Sequence, residues 1–231
     1  MKDKNSRQDV GVTSPAKEGE QTVPPASCRQ VRGLRIRCRG RLPHWERDGG
    51  TYFVTFRLND SIPHHVADAY RFERENIVKT AKQLKRPLTD HETERLQKLY
   101  SKKIENYLDR GIGECYLRQR SVAQVALDAL EYFHNERYKL YALCIMPNHV
   151  HVLFRPFESY VLDKLLHSWK SYTGTKANEL LNRSGVFWQK EYYDHLVRNE
   201  QEFSRILKYI LENPEKAGLK DWPWVKVYEV E

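Results

Sequence analysis

The chain has 231 residues, 40% of them apolar and 12% aromatic, and a formal net charge of +8. That is enough apolar material for one domain of roughly 180 residues plus a tail. No apolar run approaches the ~20 residues of a membrane span and no signal-peptide segment opens the chain; the four cysteines show no Cys-x-x-Cys spacing, which argues against a zinc knuckle and for a reducing, cytoplasmic setting with no membrane partner.

The charge is uneven. Residues 1–50 carry 11 Lys and Arg against 6 Asp and Glu, a net of +5, which leaves +3 for the remaining 181. A nucleic-acid partner agrees with this balance, although charge alone does not establish one. Residues 1–27 are rich in Lys, Asp, Glu, Gln, Ser and Pro and have hardly an aliphatic cluster, so they are expected to be disordered. Residues 28–41 then place Arg29, Arg32, Arg35, Arg37, Arg39 and Arg41 in a short arm. It can track phosphates or be a solvated basic leader, and the two readings stand level. Residues 1–41 are therefore expected to be a disordered basic tail, and 42–231 the folded domain.

Thr51 to Leu58 is β-rich and follows the Gly49-Gly50 turn signal, which predicts a first core strand. Residues 62–110 are long, charged and dotted with Leu, Ile and Tyr at helical spacing. They break at Arg86-Pro87, with Thr89 and Asp90 as cap candidates, and so predict two helices forming a hairpin or lid. Arg110-Gly111-Ile-Gly113 closes that section with a turn. Ser121 to His134 repeats Val122, Val125, Ala126, Ala129, Leu130 and Phe133 at the period of an amphipathic helix. Tyr138 to Ile145 and His149 to Phe154 read as consecutive strands joined by Met146-Pro-Asn148, and 159–182 as a helix.

On the second of those strands His149 and His151 share one face, because side chains alternate along a strand. Two neighbouring imidazoles can hold one divalent cation, yet His-x-His alone fits two half-buried histidines equally well. Residues 186–197 are aromatic and irregular. The last helix, from about Asn199 to Asn213, puts Phe203, Ile206, Leu207, Ile210 and Leu211 on one apolar stripe. Tyr209 falls off that stripe, Asn213 lies one turn further on the same face, and Pro214 is expected to end or bend the helix. Trp222-Pro-Trp224 and the terminal Val-Lys-Val-Tyr are expected to pack back on the body.

Met146-Pro-Asn-His-Val-His151, followed after about fifty residues by Lys208-Tyr-Ile-Leu-Glu-Asn-Pro214 and on to Gly218-Leu219, resembles the REP-associated tyrosine transposases, relatives of the single-tyrosine HUH transposases of the IS200-like group. Cys115-Tyr-Leu, Lys170-Ser-Tyr-Thr173 and Phe187 to His195 support the likeness, which spans roughly residues 42–225. The resemblance implies an α/β fold of α+β type, a ferredoxin-like sandwich whose central antiparallel sheet is flanked by helices. To this the chain adds the helical insertion at about 62–110 and the disordered tail.

By the same resemblance His149 and His151 match the metal pair for Mg²⁺ or Mn²⁺, Asn213 the third ligand, and Tyr209 the nucleophile. The implied partner is single-stranded DNA with hairpin-forming, palindromic repeats, the implied product a 5'-phosphotyrosine with a free 3'-OH, and the protein a monomer or homodimer. The residue chemistry agrees: a phenolate attacks phosphorus and conserves the bond energy, and an amide oxygen is a hard ligand suited to those ions.

Tyr192 and Tyr193 compete with Tyr209 for the nucleophile's role, which its helical partner Asn213 favours for Tyr209. Arg35, Arg37, Arg39, Lys170 and His195 are candidate DNA contacts, and Trp169 or Tyr172 candidate stacking platforms, beside their readings as solvated face, packed histidine and core aromatic. Two other functions remain alongside the transposase: a non-catalytic DNA or RNA repeat-binding regulator, and a metal hydrolase with no covalent step.

Overall fold

The computed structural model describes the backbone of residues 34–39 and 42–229, and the side chains of 47–229 apart from 90, 93 and 97–103. In chain order the elements are β1 (Leu34–Arg39), β2 (Leu42–Arg47), β3 (Tyr52–Arg57), α1 (His64–Gln83), α2 (Asp90–Asp109), a 3₁₀ turn (Tyr116–Arg118), α3 (Arg120–Glu131), β4 (Tyr138–Ile145), β5 (His149–Pro156), α4 (Leu162–Leu180), β6 (Tyr193–Leu196), α5 (Glu200–Lys216) and β7 (Val225–Val227).

β3 to β7 form one antiparallel sheet in the order β6-β3-β5-β4-β7. Within it β3-α3-β4-β5-α4-β6 is a βαββαβ unit in which each helical crossover skips one strand. This is the ferredoxin-like arrangement that the resemblance implied.

Alternation along the strands divides the core between two faces. Tyr52, Val54 and Phe56 of β3 and Val150, Val152 and Phe154 of β5 point to the side covered by α3 and α4, where Val122, Ala126, Leu130, Leu166 and Trp169 are also buried. Phe53 and Leu153 point to the other side and meet Ile206 and Ile210 of α5. Burying each such side chain stabilises the fold by about 1.5–3 kcal/mol. On β4 the register shifts between Leu140 and Ala142. The irregularity moves the inward phase from Tyr138 and Leu140 to Leu143 and Ile145, so Ala142 and Cys144 face α5.

The helical section takes the expected form. α1 and α2 flank the break at Pro87, and Thr89 closes a capping box with Glu92. The hairpin has small apolar clusters of its own, Ile62, Val66, Ile104 and Leu108 at the base and Ile77 with Leu96 further out. Its return to the body is a tight turn in which Glu114 N–H donates to Asp60 Oδ2 at 2.9 Å. Gly113 there has φ +92°, and a Cβ added to it would lie 2.7 Å from the Asp60 carbonyl oxygen. Gly113→Ala is accordingly expected to lower the unfolding free energy by about 2 kcal/mol or more, as read by urea denaturation, since both backbone strain and a clash oppose it. Unchanged stability would show that the turn can relax.

Three expectations are corrected. Residues 34–39, assigned to a disordered tail, pair with 42–47 as a two-stranded ribbon; 1–33 and 40–41 lie outside the described residues. Tyr193–Leu196, read as irregular, is the edge strand β6, too short and too polar for its alternation to show. Pro214 does not end α5, which runs two residues further to Lys216. A proline that close to a helix C-terminus forfeits a single backbone bond, and burial of its ring offsets the loss. The C-terminal segment packs back as predicted, with Trp222 Nε1 donating to the Ile145 carbonyl at 2.7 Å and β7 pairing with β4.

Candidate active site

β5 brings His149 and His151 to the face that α5 covers, and both are buried, at 1% and 0% exposure. Their Nε2 atoms lie 3.0 Å apart. Each ring is held from behind through Nδ1. His149 Nδ1 meets Asn148 Oδ1 at 2.8 Å, and Asn148 Nδ2 donates to the Ile112 carbonyl at 3.0 Å. That donation leaves Oδ1 as the acceptor, so His149 carries its proton on Nδ1 and a free lone pair on Nε2. His151 Nδ1 meets the Thr55 hydroxyl at 2.7 Å. His151 Nε2–H then donates to His149 Nε2, and Thr55 donates to His151 Nδ1. Rotating the Thr55 hydroxyl reverses the second bond and frees both Nε2 lone pairs.

Burial keeps both imidazoles neutral. It drives His149 far below the ordinary histidine range, with the His151 ring adding to the effect, and His151 down to about 3. A histidine depressed in the fold binds its proton later than in the unfolded chain, so stability is present above the unfolded value near 6.5 and is lost as pH falls towards 3. Acid titration of unfolding is expected to be steeper between pH 6.5 and 4 for the native chain than for a His149→Gln, His151→Gln double variant. Equal slopes would show that the imidazoles titrate freely.

α5 presents Tyr209 edge-on to the pair. Its ring centroid is 5.3 Å from that of His151 and 5.8 Å from Phe53, which itself stacks on His151 at 5.4 Å. Burial first, then the Glu105 and Asp109 carboxylates, raise its phenol well above the tyrosine range. One turn on, Asn213 is 1% exposed and its Oδ1 has no hydrogen-bond partner.

A buried amide oxygen without a partner is costly, and it is the kind of donor a hard cation accepts. Two imidazole nitrogens at 3.0 Å also match the separation of neighbouring ligands on such an ion, since ~2.1 Å bonds at right angles put ligand atoms about 3.0 Å apart. The paired imidazole nitrogens and the partnerless Asn213 oxygen are donors of the kind that fit a divalent cation. Among the described residues no three His, Cys, Asp or Glu side chains gather at metal-binding spacing.

The family described as "Transposase IS200 like" matches residues 118–213. Over those residues the chain is similar to IS200-like transposases. The stretch holds the histidine pair, Tyr209 and Asn213, and it leaves out β3 and the α1–α2 hairpin. A protein of Haemophilus influenzae named as a REP-associated tyrosine transposase is 29% identical over 99 residues, 36% of this chain and 55% of that protein; the chain thus spans little more than half of its curated relative. Among solved structures, a REP-associated tyrosine transposase bound to a REP hairpin aligns over 79% of both chains at 16% identity and a TM-score of 0.42. A transposase from Deinococcus radiodurans aligns over 71% of this chain and 89% of that one, at 13% identity and a TM-score of 0.29.

The other candidate residues lie elsewhere. Lys170 Nζ donates to the Gln189 and Lys190 carbonyls, each at 2.7 Å, and so clips the 186–192 segment onto α4. Burial, then the Arg57 charge, lowers its amine to about 8. The same segment and α4 line a cleft of about 480 Å³ that includes His167, Lys170, Lys190 and Tyr192 and none of the four site residues. His195 Nε2 contacts Glu202 Oε1 at 3.0 Å, and Glu202 Oε2 accepts from Arg198 N–H while Asn199 caps Glu202 N–H. His195 thereby helps fix the start of the helix that carries Tyr209.

Tyr192 is buried in the core beneath α4, and Tyr193 packs on Phe53. Trp169 is core, with Nε1 donating to the Tyr138 hydroxyl, whereas Tyr172 is 53% exposed. Arg35, Arg37 and Arg39 lie in β1, and their side chains are outside the described residues. No described helix is long and apolar enough to cross a membrane.

Sequence reasoning missed Thr55, Asn148, Glu105 and Asp109. Asn148 adjoins the histidines and was legible as more than a turn residue. Thr55 becomes their neighbour only through the register that sets it opposite His151.

Proposed function

We propose that the chain is a divalent-cation-dependent nickase and strand transferase acting on single-stranded DNA with hairpin-forming repeats, with Tyr209 as nucleophile. The observation that carries this reading is the approach of Tyr209 to His151 beside a buried, unpartnered Asn213 oxygen. The transposase family of residues 118–213 and the REP association in the relative's name support DNA repeats as the substrate class.

His149, His151 and Asn213 would hold Mg²⁺ or Mn²⁺, which would supply Lewis acidity toward a phosphodiester oxygen. The chain's own residues do the rest. Asn148 and Thr55 hold the imidazoles neutral and aimed, Phe53 and α5 exclude water, and Tyr209 loses its phenolic proton and bonds phosphorus. The phosphorus–O3' bond breaks, giving a 5'-phosphotyrosine and a 3'-OH, and rejoining reverses the step with no nucleotide cofactor. Residues 42–231 act as the catalytic unit, with α1–α2 inserted, in a cytoplasmic setting that suits the free Cys115 and Cys144.

The test is a labelled hairpin oligonucleotide with Mg²⁺ or Mn²⁺, run on a denaturing gel. A cation-dependent protein–DNA adduct is the expected result. Cleavage without an adduct would make the protein a hydrolase, and binding without cleavage a repeat-binding regulator.

A further inference from the structure

Lys170, a candidate DNA contact by sequence, stands in the cleft of about 480 Å³ between α4 and the segment that follows it. His167, Lys170, Gly174 and Asn178 succeed one another at helical spacing along one wall, with Asp163 at the N-terminal end. The other wall is Phe187, Trp188, Lys190 and Tyr192. That wall is fixed in advance: Trp188 Nε1 donates to Thr173 Oγ1 at 2.8 Å, and Lys170 Nζ holds the Gln189 and Lys190 carbonyls. The nicking reading gives this cleft no role.

Gly174 sits in the middle of it. A Cβ there would meet Phe187 Cβ and Trp188 Cδ1 at 3.5 Å, which is ordinary contact, so packing does not demand a glycine. Inside a helix glycine is less favourable than alanine, because its backbone loses more freedom on folding. What the missing side chain provides is room beside the aromatic wall. The two ends of the cleft differ in chemistry. At one, Lys170 spends two of its three N–H donors on the carbonyls and keeps a third, and the exposed Lys190 lines the facing wall. At the other, Asn178 Nδ2 donates to the Gly185 carbonyl at 2.9 Å, and Asn178 Oδ1 is buried with no hydrogen-bond partner. The two positions are roughly 12 Å apart along the helix axis. A cationic end, an open middle against aromatic rings and an acceptor lacking a donor match, over that length, the phosphate, the base and the base's amino group of one nucleotide.

We propose that the cleft binds a single nucleotide, with its phosphate at Lys170 and Lys190, its base over Gly174 against the aromatic wall, and an exocyclic amino group turned to Asn178 Oδ1. The nucleotide is an unpaired one within a DNA strand or a free nucleoside monophosphate, and the recognising chemistry is the same for both. The site shares no residue with His149, His151, Tyr209 and Asn213 and does not depend on the nicking reading.

The experiment measures binding to the full chain without divalent cation, by calorimetry, with inorganic phosphate, deoxycytidine, dTMP and dCMP as probes. One dCMP is expected to bind, at least about tenfold more tightly than phosphate or deoxycytidine and about fivefold more tightly than dTMP, which lacks the amino group. Thr175→Trp, which fills the cleft from an exposed helix position, and Lys190→Gln should each weaken dCMP binding by about tenfold at an unchanged melting temperature. Gly174→Ala should weaken it without lowering the melting temperature, Asn178→Leu should erase the preference over dTMP, and the distant, exposed Lys220→Gln should change nothing. An oligonucleotide hairpin with one unpaired cytidine, set against the fully paired hairpin, separates the sources. If it displaces dCMP and loses affinity in Thr175→Trp, the cleft takes an unpaired nucleotide of the strand; if dCMP stays bound, the cleft takes the free nucleotide. Affinities for dCMP and for the bulged hairpin that stay within about twofold of native in both Thr175→Trp and Lys190→Gln overturn the proposal. Inorganic phosphate bound as tightly as dCMP overturns it too, since only an anion site is then left. No outcome requires an adduct, so this proposal and the nicking reading fail separately.

Discussion

Tyr209→Phe is expected to abolish the denaturation-resistant adduct, with the cleavage rate falling by roughly a thousandfold or more, while hairpin binding and the fold persist. The ring supplies the packing against Phe53 and His151, and phenylalanine keeps it. What disappears is one oxygen, whose loss costs on the order of 1 kcal/mol of stability. Tyr192→Phe and Tyr193→Phe serve as internal comparisons. Tyr192 lies in the core under α4 and Tyr193 on the short edge strand, so neither substitution should remove the adduct. Adduct of native yield in Tyr209→Phe would transfer the nucleophile's role elsewhere.

The second large effect concerns the cation. His149 and His151 are buried and uncharged, and the Asn213 Oδ1 is buried without a hydrogen-bond partner, which is costly. A ligand that binds only the folded state at a hundred times its dissociation constant adds about 2.7 kcal/mol. Mn²⁺ or Mg²⁺ is therefore expected to raise the melting temperature of the native chain, and His149→Ala or His151→Ala to remove the rise together with adduct formation. Asn213→Ala is the sharper variant. Without cation its stability should change by less than about 1 kcal/mol, because removing an uncompensated amide offsets the small cavity left behind. With cation, at least half of the native rise should be gone. A rise of native size in Asn213→Ala would exclude the amide as a ligand.

Much of this was legible in the sequence, and for identifiable reasons. Hydrophobic period placed β3, α3, β4, β5, α4 and α5 within a few residues of their observed ends, and Thr89, one of two cap candidates, is the N-cap of α2. Tyr209 stood out because it falls off the stripe of Ile206 and Ile210, and the structure puts it beside the histidines. Leu211, counted on that stripe, is 43% exposed, whereas Asn213, counted off it, is 1% exposed. Periodicity assumes that the buried face is apolar, and a site breaks the assumption by burying a polar group.

Two kinds of information were out of reach. The irregularity at Leu140/Ala142 reverses the alternation of β4, and no residue there signals it. The neighbours of the site from β3 and α2 depend on strand register and on how the hairpin folds back. Glu105 is about a hundred residues from Tyr209, and local spacing carries no trace of such a pairing.

β5 serves two masters at once. His149 and His151 face the site while Val150 and Val152, between and beside them, hold the core under α3 and α4. For a lineage carrying this chain the two faces can vary independently by substitution, since changing a valine does not move an imidazole. Insertion or deletion of one residue there has no such freedom, because it turns the imidazoles into the core and the valines towards the site. The strand can therefore drift in composition but not in length, and alleles that lose function here are expected to be frameshifting or indel variants more often than the strand's few residues would suggest.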